Sequence, residues 1–277
     1  MVSPALDPRM GQRRPSRPQE QSIFREAAVA QFKSLLAVSI AAAALAVAAQ
    51  AQTNVHDPKP SAAVTAAVAD AGRPDADKMR DDNRKPALVV AVSGLKPGDA
   101  LVELGSAGGY YTRILAKTVG ANGKLFAIVG AQPPGAADRL KPLADQYPNI
   151  QVVTDDMTKL ANVPQKVDMV WTTDNYHDFH NRTDMAAFNK AVFDVLKPGG
   201  IFLVEDHAAA PGAGATVTGT LHRIEPALVR QEVTAAGFKL VRTSDVLAHP
   251  EDNHTERNAE ADIRGKTDRF IFVFQKP

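Results

Sequence analysis

The sequence contains no cysteine. That excludes disulfides, thiolate metal sites, a cysteine nucleophile and an N-terminal lipid-bearing cysteine. Aromatic residues are sparse, at 6%, with one tryptophan, Trp171. Neither sign of charge is in excess. The 32 Lys and Arg stand against 31 Asp and Glu, a formal net charge of +1, which gives no reason to expect nucleic acid as a partner. No internal repeat is visible. No apolar run reaches the roughly 20 residues that a membrane-spanning helix needs. What is present is a 277-residue chain that is 44% hydrophobic, the composition of a packed chain and not of a disordered one.

The charge is unevenly placed. Residues 1–33 hold six basic side chains against three acidic ones, and residues 34–51 hold none. Lys33 and Ser34 lead into an apolar run over 35–49, broken only by Ser39, which ends in Ala49-Gln50-Ala51. A basic head, a short apolar run and a small-x-small end form the pattern of an export signal. The reading is a signal peptide over 1–51, a linker and lead-in helix over 52–74, and one domain over 75–277. Cleavage after Ala51 predicts a periplasmic or secreted protein with no membrane segment left. A retained anchor or a buried alanine-rich helix is the alternative, although this stretch offers no polar face.

The mature chain alternates between strand and helix patterns. Helices are expected over 61–71 and 75–92, with Pro86 kinking or dividing the second. Strands are expected over 100–104, 124–129, 150–154, 167–172, 201–205, 238–246 and 269–274. Further helices are expected over 110–119, 136–146, 183–196 and 226–236. Alternation of this kind predicts an α/β fold, doubly wound, with a mainly parallel seven-stranded sheet and an antiparallel carboxyl-terminal strand pair. Ligands of such sheets bind outside the carboxyl ends of the strands.

At the end of the first strand an acid is followed by a glycine-rich turn that opens a helix: Glu103, Gly105, Ala107 and Gly109 stand at alternate positions. Glycines allow close backbone approach, and the helix start offers free N–H groups. The dinucleotide fingerprint G-x-G-x-x-G is absent, since Ala107 and Tyr110 replace its second and third glycines. The segment resembles the first motif of class I S-adenosylmethionine-dependent methyltransferases. Lys96-Pro97-Gly98, Asp155-Asp156-Met157 and Lys197-Pro198-Gly199-Gly200 match further positions of that pattern. The resemblance extends over about 75–277 and is closest to a group of exported methyltransferases. It implies a Rossmann-like fold, S-adenosyl-L-methionine as cofactor, and a cofactor site made by Glu103, Gly105, Ala107, Gly109, Asp156 and Met157. The chain departs from the family after the second strand, where residues 126–134 hold no acid for the ribose hydroxyls.

Two polar clusters follow the fourth and fifth strands, Asp174 to His180 and Glu205 to His207, and His222 opens the next helical segment. The fold brings adjacent strand ends together, so one reaction site is expected from His177, Asp178, His180, Asp206, His207 and His222. His177 is the expected general base, oriented by Asp178 or Asp206. The same residue types suit a divalent metal. The expected activity is methyl transfer to a small-molecule acceptor. A metal- or histidine-dependent hydrolase or lyase, and an exported ligand-binding protein, are the alternatives on the same scaffold. Trp171 is expected in the core. Asp81, Asp82, Arg84 and Lys85 are expected as a solvated helix face or a lid, and residues 249–266 as a mobile loop or a lid.

Overall fold

The computed structural model describes residues 57–130, 135–156, 158–260 and 262–277. The expected signal segment, residues 131–134 and Met157 lie outside the described residues.

Helix α1, Ala62–Val68, starts at Ser61, whose hydroxyl accepts the Val64 N–H at 3.3 Å. The expected 75–92 helix is three short ones: α2, Asp75–Lys78, α3, Asp81–Arg84, and α4, Pro86–Ser93. Pro86 lacks an N–H and cannot continue α3. Lys85 turns left-handed, at φ 40°, and Pro86 takes the first position of α4. There follow β1, Ala100–Leu104, α5, Tyr110–Val119, β2, Lys124–Val129, α6, Ala136–Gln146, β3, Ile150–Thr154, and β4, Val167–Thr173. The first polar cluster carries a short helix, α7, Tyr176–His180. Helix α8, Met185–Val195, is capped by Asp184, which accepts two backbone N–H groups. Strand β5, Leu196–His207, absorbs the Pro-Gly-Gly turn through a bulge against β4. Helices α9, Thr218–Leu221, and α10, Pro226–Ala235, precede β6, Lys239–Ser244, and β7, Arg269–Gln275.

The seven strands lie in the order β3-β2-β1-β4-β5-β7-β6. All pairs are parallel except those of β7, which runs antiparallel to β5 and β6. The strand order reverses between β1 and β4, so the crevice of such a fold opens above their carboxyl ends.

Apolar side chains cover both faces. Val102, Leu104, Phe202 and Val204 pack with Phe188 and Val192 of α8 and Val229 and Val233 of α10. On the other face Leu101, Leu203 and Trp171 pack with Val89 of α4, Ile114 and Leu115 of α5, and Leu140 and Leu143 of α6. Trp171 is fully buried there, as expected of a core residue. Val64 and Ala67 of α1 are buried in the same cluster. The helix in the expected lead-in segment therefore packs into the domain itself. Among the described residues no helix is long and apolar enough to cross a membrane.

Candidate active site

Alternation along β1 sends Val102 and Leu104 to one face and Leu101 and Glu103 to the α5 face. Glu103 is buried, and its Oε2 accepts the Ser106 hydroxyl at 2.8 Å. Burial pushes its carboxyl up to about 7, only partly offset by neighbouring hydroxyls. Gly105 stands at φ 75°, and a Cβ there would lie 2.5 Å from the Asn175 side-chain amide. Gly109 turns left-handed, at φ 82°, to start α5. Ala107 adopts φ 45° between them. It holds the backbone shape of glycine at a strain of about 1–2 kcal/mol for an L-residue.

Past β3, Asp155 is buried and accepts the Asp156 and Asn162 N–H groups at 2.7 and 2.6 Å. It braces its own turn. Asp156 is exposed and accepts the Thr158 N–H and hydroxyl.

The expected single cluster at the β4 and β5 ends is two. Successive residues of β5 point to opposite faces, so Glu205 and His207 separate from Asp206. On one side Asp206, fully buried, accepts from His177 twice. Oδ2 takes the backbone N–H at 2.7 Å and Oδ1 takes the ring Nδ1–H at 2.7 Å. Burial disfavours the His177 imidazolium, but the Asp206 charge and hydrogen bond outweigh it and raise its pKa. In the neutral ring, with Nδ1 donating, His177 Nε2 is bare. It points to His222 Nδ1 at 3.3 Å and Asp178 Oδ1 at 3.6 Å. Of the two carboxylates expected to orient His177, Asp206 is the one bonded to Nδ1.

On the other side His207 Nδ1 accepts the Thr267 hydroxyl at 2.8 Å, and Nε2 lies 3.3 Å from Asp174 Oδ1. Burial lowers its pKa to about 4, so this ring is neutral. Asp174 also pairs with Arg84 and lies 3.9 Å from Arg269. Although buried, it is held well below the usual carboxylate range by the Arg84 charge and by His207 and Arg269. Arg269 reaches Glu205 at 3.2 Å. Burial and the Asp174 charge push the Glu205 carboxyl upward. The His177 and His207 ring centroids are 6.3 Å apart across the strand edge.

His180 joins neither group. It turns away to Glu232 of α10, at 2.9 Å, and that carboxylate also accepts the Tyr176 hydroxyl. The i, i+3 spacing would let His177 and His180 share a helix face, but Glu232 holds the His180 ring and Asp206 the His177 ring. His180 ties α7 to α10.

The His207 side opens into a cleft of about 660 Å³ lined by Arg80, Arg84, Asp174, His207, Arg264 and Arg269, among others. Its near wall is α3, held down by charge. Arg73 grips Asp81 with two hydrogen bonds of 2.8 and 2.7 Å, and the Tyr110 hydroxyl donates to the same carboxylate at 2.7 Å. Arg80 and Arg84 lie over the Tyr110 ring at 5.0 and 4.9 Å. The segment read as a solvated face or a lid thus covers the start of α5. The far wall comes from Asn258, Ala259, Arg264 and Gly265 of the long polar loop. That loop is pinned by Arg223, fully buried, which holds Asp252 at 2.7 Å and the Glu256 carbonyl at 2.8 Å.

Sequence reasoning omitted Arg84, Asp174, Glu205, Thr267 and Arg269 from the site. Asp174 and Glu205 open the two polar clusters already read, and the signal for Arg84, Thr267 and Arg269 lay in residues 81–86 and 267–270, each carrying an arginine beside a polar run. Nothing in the spacing says that residues so far apart meet.

A sheet ordered 3-2-1-4-5-7-6, with an acid and a glycine turn at the switch point, defines the class I S-adenosylmethionine-dependent methyltransferase fold. Residues 101–200 match a family model described as a methyltransferase domain. Over those residues the chain is similar to methyltransferase domains. A methyltransferase of this class from Aquifex aeolicus is 19% identical, covering 74% of this chain and 99% of its own, at a TM-score of 0.52. The N-methyltransferase NodS from Bradyrhizobium japonicum is 16% identical, covering 74% of this chain and 98% of its own, at 0.50. These likenesses concern the fold. No curated protein matches the chain.

S-adenosyl-L-methionine is the cofactor of this class, and the residues fit its methionine end. The buried Glu103 carboxyl is an acceptor for an ammonium group, and the turn leaves open space at Gly108, while Asn175 and Leu143 lie over Gly105 and Gly109. At the ribose end the chain brings no carboxylate between 126 and 134.

Proposed function

We propose that the chain transfers the methyl group of S-adenosyl-L-methionine to a small acceptor that carries a carboxylate, bound in the arginine-lined cleft. The observation that carries this reading is the cleft's excess of guanidinium groups. Among the described residues Arg80 and Arg264 have no carboxylate partner. An arginine fork matches a carboxylate in two parallel hydrogen bonds. The cofactor, when bound, supplies an activated methyl group. The groups at the cleft supply position instead of proton removal. His207 is neutral with Nδ1 taken by the Thr267 hydroxyl, and Asp174 is kept ionised by its arginines. An acceptor whose nucleophilic oxygen is already deprotonated needs no base there, only in-line placement.

Two measurements on the purified full chain test it. Calorimetry with S-adenosyl-L-methionine and its demethylated product is expected to show binding, and no binding at millimolar levels would end the methyltransferase reading. Label from methyl-labelled cofactor is expected to pass to small carboxylic acids but not to their amides, as a product released by mild alkali, with Arg264→Gln raising KM. Equal transfer to the amides would remove the carboxylate assignment. We also propose export with cleavage after Ala51, from the basic head and the apolar run. N-terminal sequencing of the cell-derived protein is expected to begin at Gln52, and a retained 35–51 segment would argue for an anchor.

A further inference from the structure

A second site stands on the opposite side of the β5 edge, independent of the cleft and of the acceptor. His177 Nε2, His222 Nδ1 and Asp178 Oδ1 form a triangle with sides of 3.3, 3.4 and 3.6 Å. Four ligands at the 2.0–2.1 Å typical of zinc and histidine sit about 3.3–3.4 Å apart in a tetrahedron. The three donor atoms thus already occupy one face of such a tetrahedron. We propose that they bind one divalent cation of the zinc class, with the fourth position open.

The surroundings are those of a metal histidine. His177 donates Nδ1–H to the buried Asp206 carboxylate, which fixes the ring and leaves the lone pair on Nε2 aimed at the triangle. Asp206 is thereby a positioning residue and not a ligand. The His177 ring is buried, whereas the His222 and Asp178 side chains are 28% and 29% exposed, so the open position faces solvent. Three protein ligands and an open fourth place define the catalytic kind of zinc site, in contrast to the closed structural kind. His222 is held at φ 52°, a left-handed conformation that a histidine rarely adopts, and Asn258 grips its carbonyl at 3.2 Å. That backbone turn points Nδ1 inward.

His222 Nε2 lies 3.1 Å from an Arg257 guanidinium nitrogen, so Nδ1 carries the ring proton, and that proton lies inside the triangle. The cation takes the proton's place. His222 moves its proton to Nε2, and Arg257, an exposed side chain, turns away. His180 and His207, expected among possible ligands, stay outside, bonded to Glu232 and to Thr267.

The test uses untagged full chain, stripped with chelator and titrated with zinc by calorimetry, then loaded with cobalt(II) for visible absorption. One zinc per chain is expected, with the intense visible bands of four-coordinate cobalt. His222→Ala and Asp178→Ala should each weaken zinc at least tenfold, and His180→Ala should leave it unchanged. His177→Ala removes a buried ring and can unfold the chain, so the two half-exposed ligands carry the decision. Substoichiometric zinc, weak six-coordinate cobalt bands, or affinity unmoved by His222→Ala would overturn the site. None of these readouts depends on methyl transfer.

Discussion

Glu103→Gln separates what the carboxyl does for stability from what it does for the cofactor. Burial raises this group from an ordinary 4.5 to about 7. Folding therefore takes up a proton between those values. The favourable contribution is complete below about pH 4.5 and is lost as pH rises through about 7, because the ionised carboxylate is then buried without a cationic partner. At about 1.4 kcal/mol per pKa unit, the cofactor-free protein loses about 3 kcal/mol across that window from this group alone. Glutamine keeps the shape and an acceptor for the Ser106 hydroxyl but does not titrate. Urea unfolding of the cofactor-free chain at pH 5 and pH 8 measures the difference. The variant should lie within about 1 kcal/mol of the native chain at pH 5 and exceed it by about 3 kcal/mol at pH 8, a large share of the 5–15 kcal/mol that holds a domain together. The same variant should no longer be stabilised by the demethylated cofactor, since the acceptor for its ammonium has lost its charge. If both proteins showed the same change between the two pH values, Glu103 would not be the buried, unpaired acid described above.

Three other substitutions test the walls and the loop. Arg84→Ala leaves Asp174 beside the cleft without its main partner, and with both side chains nearly a fifth exposed the loss should be about 2–3 kcal/mol in urea unfolding, short of a wholly buried pair. The same change frees α3, and limited proteolysis should cut near residues 80–85 sooner. Gly105→Ala forces a methyl onto the Asn175 amide and costs strain at φ 75°, with a loss of at least about 2 kcal/mol, and adding Asn175→Ala should restore the part due to the clash, leaving only the strain. Unchanged stability of the double variant relative to Gly105→Ala would refute the contact. Ala107→Gly relieves a left-handed alanine and should raise stability by up to about 1 kcal/mol, since the strain removed exceeds the backbone entropy that glycine adds. A fall in thermal midpoint would count against the strained turn.

The sequence by itself determined the layers. Apolar periodicity located all seven strands and the longer helices between them, but not the short helices α7 and α9, because only an element long enough to bury a face writes its period into the chain. The glycines at 105 and 109 marked a tight left-handed turn into α5, because few residues tolerate that backbone. Pro86 announced a break. The site was less legible. Its residues were named in part, but their partners were not, because hydrogen-bond partners 29 to 90 residues apart leave no local pattern. Tertiary structure decided that Asp206 and not Asp178 holds His177 Nδ1, and that His180 serves α10. It decided that Arg84 and Arg269, read as surface or unread, face Asp174 in the cleft. Above all it divided one expected cluster into two. The alternation of a single strand sends Glu205 and His207 to one face and Asp206 to the other, and only the sheet around β5 gives those two faces different company.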